Sequence, residues 1–383
     1  MPRRTVRTKH QIVARVEAEL LKRLRGRDGL SRVELARELQ LAPSTAGIYV
    51  DRLLRDHFLI EGHKVDREQG RPPTLLSLNP DGGRFVGVDF EARSILATVV
   101  DFSQQVVKQS RRAIREGDSV ERILVQIEEI IRTVIAGDNR PLLGIGVGVP
   151  GTIDPVEGIA RGYAFIPGWK DVPLASRLAE AFGVPVHLEN NIRSMAMAEL
   201  WFGQGLGLRN FVCLGVRTGI GAGIIADGRL LRGEYGNAGQ VGKWLAPGVP
   251  ATVTKSASHT LESVASLQAI LAAATVATGK ELDWSALRVA VEAGDRKILQ
   301  VLEQAADFHG WAIHQLQLLF DPRRVIVVGP LAELGSAFLD PLRAAVHRHS
   351  PEMQLEIVNS TLGQFSGAFG AAALALHQWK PAR

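Results

Sequence analysis

Ser44, Thr45, Gly47, Ile48 and Arg52 fall on one side of a short helical segment that opens at Pro43, and a Gly70-Arg71-Pro72-Pro73 run lies downstream. Small hydroxyls, an apolar side chain and a guanidinium carried on the early turns of a helix are groups that read base edges in a DNA major groove. An arginine on an extended, proline-flanked loop suits a narrow minor groove with its strong negative potential. The charge distribution agrees. Residues 1–79 hold 16 Lys and Arg against 10 Asp and Glu, and the rest of the chain holds 29 against 30. The basic excess therefore sits in the first fifth of a chain whose net charge is +5, the footprint of a nucleic-acid-binding module on a neutral partner domain. Double-stranded DNA is the expected partner, with Ser44, Thr45, Gly47, Ile48, Arg52, Gly70 and Arg71 as candidate contacts.

The elements that must present these residues are legible. Ile12, Val13, Val16, Leu20, Leu21 and Leu24 recur at helical spacing and predict a first helix over residues 10–24, closed by glycines at 26 and 29. Ser31 and Glu34 have capping-box spacing and open a second, short helix through Val33, Leu35, Ala36 and Leu39. Pro43 suits the first turn of a third helix, 43–56, whose inward stripe is Ala46, Val50, Leu53 and Leu54. A strand at 58–60, a polar loop to Gly70 and a returning strand at 71–78 complete a winged helix-turn-helix. A small helical domain that binds protein or merely dimerises would share the charge but not the wing.

With 383 residues, 46% apolar and 22% charged, the chain can bury two or three domain cores. One cysteine, Cys213, allows no internal disulfide and no thiolate cluster. No apolar run approaches the roughly 18 residues of a membrane span. These features predict a cytoplasmic protein without membrane attachment. From Arg84 onward the texture becomes glycine-punctuated apolar runs: 85–89, 94–101, 142–149, 184–188 and 211–216 as strands, with a helix over 120–134. Strand, hairpin, strand and helix recur twice, which predicts an α/β architecture of two related lobes with a cleft between them.

Several motifs in order make the chain resemble the ROK family of repressors, open reading frames and kinases, in its repressor branch of xylose- and N-acetylglucosamine-repressor-like regulators. They are the Gly70 to Pro73 wing, Gly146-Val147-Gly148-Val149-Pro150-Gly151-Thr152-Ile153-Asp154, Ile166-Pro167-Gly168-Trp169, Glu189-Asn190-Asn191, Thr218-Gly219-Ile220-Gly221-Ala222-Gly223, Gly228 to Gly233 and Gly367 to Ala373. The resemblance implies a ribonuclease-H-like, actin-like sugar-kinase fold. It places the winged head at 1–79, the first lobe at 80–200 with the C-terminal helix of about 364–383, and the second lobe at 201–363.

It also implies what is missing. Family kinases carry an Asp-x-Gly-Gly-Thr phosphate loop, whereas Asp89 is followed by Phe90-Glu91-Ala92. Bulk restricts close backbone approach, and a carboxylate repels phosphate. The kinases' general base is the Asp of an Asn-Asp pair; here the pair is Asn190-Asn191, and an amide cannot take a hydroxyl proton near neutral pH. The adenosine-side Gly-Gly turn reads Gly329-Pro330. No catalytic residue and no cofactor are therefore assigned.

The sugar-facing side is better kept. By resemblance Asn190, Asn191 and Glu262 hydrogen-bond ring hydroxyls, the Gly168-Trp169 loop closes over the ligand, and Gln240 and Lys243 stand where the family carries Glu and His. Lys243 could meet an acidic or phosphorylated sugar, with an ion pair to a neighbouring carboxylate the simpler expectation. The family's cysteine zinc ligands fall near Val253, Lys255 and Thr260, none a thiolate, so no metal is expected; His259 nearby is a lone histidine. The implied protein is a sugar-responsive repressor of carbohydrate genes, acting as a homodimer or homotetramer. The alternatives are an ATP-dependent ROK sugar kinase with a fused DNA-binding head, and a repressor that answers to no small molecule.

Overall fold

The computed structural model describes residues 3–64, 74–247, 259–352 and 354–381. The head consists of α1 (Arg3–Leu24), β1 (Leu30–Ser31), α2 (Arg32–Glu38), α3 (Pro43–Arg55), β2 (Leu59–Lys64) and β3 (Thr74–Leu78). Ser31 and Glu34 form the reciprocal cap: the Ser31 amide donates to the Glu34 carboxylate at 2.8 Å and the Glu34 amide to Ser31 Oγ at 3.3 Å. Ala46, Val50 and Leu53 of α3 are buried as the periodicity requires, while Leu54 is half-buried. The first helix starts at Arg3 rather than residue 10, since adding residues to an existing helix costs little once it is nucleated. A two-residue strand, β1, is an addition to the expected wing; it pairs with β3 on the side opposite β2. Gly70 and Arg71 lie outside the described residues.

The first lobe carries β4 (Arg84–Phe90), β5 (Ser94–Asp101), β6 (Val106–Ala113), α4 (Val120–Ile135) and β7 (Leu142–Val149). A small antiparallel excursion follows, β8 (Thr152–Asp154), β9 (Ile159–Gly162) and β10 (Lys170–Val172), then α5 (Leu174–Phe182), β11 (Val186–Asn190) and α6 (Asn191–Phe202). The second lobe carries β12 (Phe211–Val216), β13 (Ile220–Ala226), β14 (Arg229–Leu230), α7 (Leu261–Ala265), α8 (Leu267–Thr278), α9 (Trp284–Glu292), α10 (Arg296–Phe320), β15 (Arg324–Val328), α11 (Ser336–His349) and β16 (Glu356–Asn359). Each lobe's sheet orders its strands third, second, first, fourth, fifth, with an antiparallel hairpin followed by parallel additions. The duplicated actin-like fold follows. The strand expected at 184–188 is shifted to end at Asn190, which puts Glu189 and Asn190 at the cleft.

The last helix, α12 (Ser366–Gln378), returns to the first lobe and packs across β4, β7 and α6. The approach is so close that a Cβ at Gly87 would stand 1.8 Å from the Ala368 carbonyl, and one at Gly146 would stand 1.8 Å from that of Ala371. Only glycine fits beneath the helix at those two positions. The head does not hang from a linker. Leu20, Leu35, Val50, Leu53, Leu59 and Leu76 of the head share one apolar core with Phe85 and Phe102 of the first lobe and Ala372, Ala375 and Leu376 of α12. Phe58 of the head stacks on Phe102 (centroids 5.1 Å apart) and meets Trp379 edge-on (4.8 Å).

Candidate functional site

The cleft between the lobes holds a cavity of about 310 Å³. Its walls come from the ends of β7, β11 and β13, the start of α6, the turn 238–243 and the side chain of Glu262. Asn190, Asn191, Gln240, Lys243 and Glu262 all line it, as do Tyr163, Phe165, Arg193 and Arg217. Gly168 does not. It is exposed, and its neighbour Trp169 turns inward onto Phe90 with ring centroids 5.1 Å apart. A large indole gains more from burial than from capping a polar cleft, so Tyr163 and Phe165, a few residues earlier, take the place expected of the Gly168-Trp169 loop.

Asn190 is the N-cap of α6. Its side-chain oxygen accepts from the Ile192 and Arg193 amides (3.1 and 3.4 Å), and its NH2 donates to the Gly151 carbonyl at 3.1 Å. Its polar atoms are thus occupied in aiming the helix, and it lines the cavity while being tied to the backbone. Asn191 is 5% exposed, and its side-chain oxygen accepts from the Ile192 amide at 2.8 Å. Among the described residues no acceptor meets its NH2, which leaves a donor for a ligand oxygen.

Below them lies a charge network that joins Glu189 to Arg193, four residues on, and to the distant Arg232. Glu189, 1% exposed, accepts from Arg193 Nε at 2.6 Å and Arg232 Nε at 2.7 Å, and Arg193 also donates to the Gly236 carbonyl at 2.7 Å. It ties the end of β11 to the 232–238 loop of the other lobe. The buried Glu189 carboxylate is neutralised by the equally buried Arg193 guanidinium, and Arg232 adds its charge from the half-exposed side; losing Arg193 would take away the buried partner at a cost.

Glu262 reaches from α7 to accept the Ile220 amide at 3.0 Å. It fills the space over Gly219, where a Cβ would stand 2.4 Å from its carboxylate, so the glycine at 219 makes room for Glu262. Gly223 likewise packs under α6, with an added Cβ 2.5 Å from that of Ala196. Gln240 donates to Asn237 at 2.9 Å. Lys243 is exposed at the rim, and among the described residues no carboxylate pairs with it, contrary to the ion-pair expectation. Leu245 bridges to Thr260; positions 253 and 255 lie outside the described residues. Among the described residues no group of three His, Cys, Asp or Glu could hold a metal ion.

Arg217, at the end of β12, joins the site although no motif marks it. It crosses the cleft to Asp89 Oδ2 (2.9 Å) and Glu91 Oε1 (3.0 Å). Burial pushes the Asp89 and Glu91 carboxyls above their ordinary values, and the guanidinium draws them back. Asp89 and Glu91 thus spend their charge on an internal cation.

On the head, Ser44 is exposed, Thr45 and Gly47 are half-exposed and Ile48 is 60% exposed. An isoleucine so placed on a helix covers no core. Arg52 behaves differently: it pairs at 3.3 Å with Glu17, which is fully buried, and so braces α3 against α1.

Residues 85–378 match the family model described as ROK. The xylose repressor of Caldicellulosiruptor bescii is 28% identical over 337 residues, covering 84% of each chain. A crystal structure described as a ROK family transcriptional regulator, homologue of the Escherichia coli MLC protein, superposes with a TM-score of 0.81 at 24% identity over 96% of both chains. A ROK family glucokinase from Streptomyces griseus, solved with glucose and AMPPNP, gives a TM-score of 0.67 at 25% identity. It covers 76% of this chain and 99% of its own.

Proposed function

The chain belongs to the ROK family, and we propose that it is a sugar-responsive, DNA-binding transcriptional repressor of carbohydrate genes. One observation carries the reading: the winged helix-turn-helix shares an apolar core with the first lobe and α12, and the same lobe forms one wall of an interlobe cavity into which amide and charged side chains reach. The similarity to repressors along nearly the whole chain supports it, whereas the glucokinase likeness covers a smaller share.

In this reading Asn191, Gln240, Lys243 and Glu262 hold the ligand's hydroxyls, with Asn190 capping α6, the helix that carries Asn191. Amides and a carboxylate suit a polyol, since each hydroxyl both donates and accepts. No proton is taken from the sugar, because the side chain at the kinase base position is the Asn191 amide. Asp89 and Glu91, bound to Arg217, offer no phosphate cradle. Ser44, Thr45, Gly47 and Ile48 face DNA, Arg71 follows from the wing, and Arg52 orients the recognition helix from behind. Three bodies divide the work: the head at 1–79, the first lobe with α12, and the second lobe.

A ligand that binds one interlobe angle more tightly shifts the population toward it, and the head moves with the first lobe and α12. Two copies paired on a near-palindromic operator convert that movement into a change of head spacing. A single buried cysteine fits a reducing cytoplasm, and no described helix is long and apolar enough to cross a membrane.

The test is retardation of an operator duplex by the full chain, with and without hexoses, pentoses and amino sugars. A sugar that releases the duplex supports the reading. A coupled ATP assay that yields phosphorylated sugar, lost on changing Asn191, would establish the kinase alternative instead.

A further inference from the structure

A cavity of about 460 Å³ opens on the same interlobe seam as the one that Asn191 and Glu262 line, and the two share Phe165. Three stretches of chain pass directly from the first cavity to this outer one. Glu91 lines the first and Ala92 the outer; Phe165 lines both and Ile166 the outer. Arg217 lines the first, and its carbonyl accepts at 3.0 Å from the amide of Leu267, the neighbour of Gln268 in the outer. Phe165, half-buried, is therefore the residue at which two adjoining chambers meet. Both volumes lie in the range of small-molecule sites, about 300–1,000 Å³.

The frame of the outer chamber is fixed. The Ile114 amide donates to the Arg93 carbonyl at 3.0 Å, and Asp118 accepts from the Arg115 amide (3.0 Å) and from Gln126 Nε2 (2.9 Å). Buried Ile114, Ile123 and Ile166 give it an apolar lining. Arg93, Arg115 and Glu116 of the first lobe and Gln268 of the second line it as exposed residues, and among the described residues none of these four side chains forms a hydrogen bond or an ion pair. Two guanidiniums, two carboxylates and an amide make a wall without net charge. An anion there meets Glu116 and Asp118, and an ammonium meets the arginines. A neutral polyol finds both donors and acceptors, as its hydroxyls require, and an aromatic face beside isoleucines suits the C–H face of a sugar ring.

We propose that the outer chamber is a second saccharide subsite, so that the effector is a disaccharide or glycoside with one ring between Asn191 and Glu262 and the next beyond Phe165. The proposal rests on reading the first cavity as the effector site and deepens it by naming the length of the ligand. In the outer chamber Gln268 comes from the second lobe and the other polar groups from the first. A ligand that fills both chambers is thus held by both lobes in each. That widens the difference in affinity between interlobe angles on which release of DNA depends.

The experiment is calorimetric titration of the full chain with glucose, xylose and N-acetylglucosamine, with their β-1,4-linked disaccharides and maltose, and with glucose 6-phosphate. At least one disaccharide binds about tenfold or more tightly than its own monosaccharide. Arg115→Ala and Gln268→Ala, both at exposed positions and so without cost to folding, remove that advantage. Monosaccharide binding with no gain from a second ring overturns the subsite, as does a gain that survives both substitutions. Tighter binding of glucose 6-phosphate than of any disaccharide also overturns it, since Arg93 and Arg115 then hold an anion. Silence toward every sugar ends the effector reading and the subsite with it, an outcome distinct from the loss of the second subsite alone.

Discussion

Arg25, the residue that follows α1, donates a 2.9 Å hydrogen bond to the main-chain carbonyl of Leu376, in the last turn of α12. At the other end of that helix, Gly367 lies against Asp89 so closely that an added Cβ would be 2.5 Å from the carboxylate. One helix of 13 residues, about 20 Å long, therefore has its first turn at the Arg217 ion pair and its last turn in the core of the DNA-binding head. Helix ends buried in two sites make a stiff connection, and movement of the first lobe is movement of the head.

Severing that connection should separate stability from recognition. Trp379→Ala removes a ring that meets Phe58, Phe85 and Phe102. The expected cost is about 3–5 kcal/mol, seen as a lower urea midpoint, with sugar still bound in calorimetry but no longer releasing operator DNA. Unchanged release by sugar would sink the coupling.

The recognition face makes the opposite prediction. Ser44→Ala and Ile48→Ala alter exposed positions, so the melting temperature should stay within the effect of about 0.5 kcal/mol typical of surface changes. Operator affinity should fall by about 1–3 kcal/mol for each base edge that is no longer read. Fluorescence anisotropy on operator and scrambled duplexes measures the difference; equal weakening on both would mark a side chain that touches phosphate.

In the cleft, Asn191→Ala deletes the unoccupied amide donor. Sugar affinity should drop about tenfold, a 1.4 kcal/mol effect, while DNA retention without sugar is unchanged. Isothermal titration against the releasing sugar checks it.

Acid should weaken the second lobe. His309 donates through Nε2 to the Ala265 carbonyl (2.9 Å), and its Nδ1 is buried without a partner. Burial pushes its pKa down to about 4 from 6.5. The ring is neutral when folded and takes a proton when unfolded. Its contribution is intact above pH 6.5 and is lost as pH falls toward 4, by about 3 kcal/mol in all. Urea midpoints between pH 7 and pH 5 should fall, and His309→Gln should flatten that slope.

Whatever depended on neighbours along the chain was legible without coordinates. The capping box at Ser31 and Glu34, the buried stripe of α3, the winged head and the duplicated α/β lobes all rest on spacings of two to four residues, which backbone geometry converts directly into faces and caps. Asn190 carries a further local signal, since an asparagine opening a helix is first of all a cap. The tertiary structure alone decided which charges meet. Arg217 and Asp89 are 128 positions apart and Arg25 and Leu376 are 351 apart. It also decided that Trp169 is core, that Tyr163 and Phe165 line the cleft, and that Arg52 braces a helix. Spacing along a chain fixes which way a side chain points from its own element, but the partner across a cleft is set by how two lobes pack, and that depends on every residue of both.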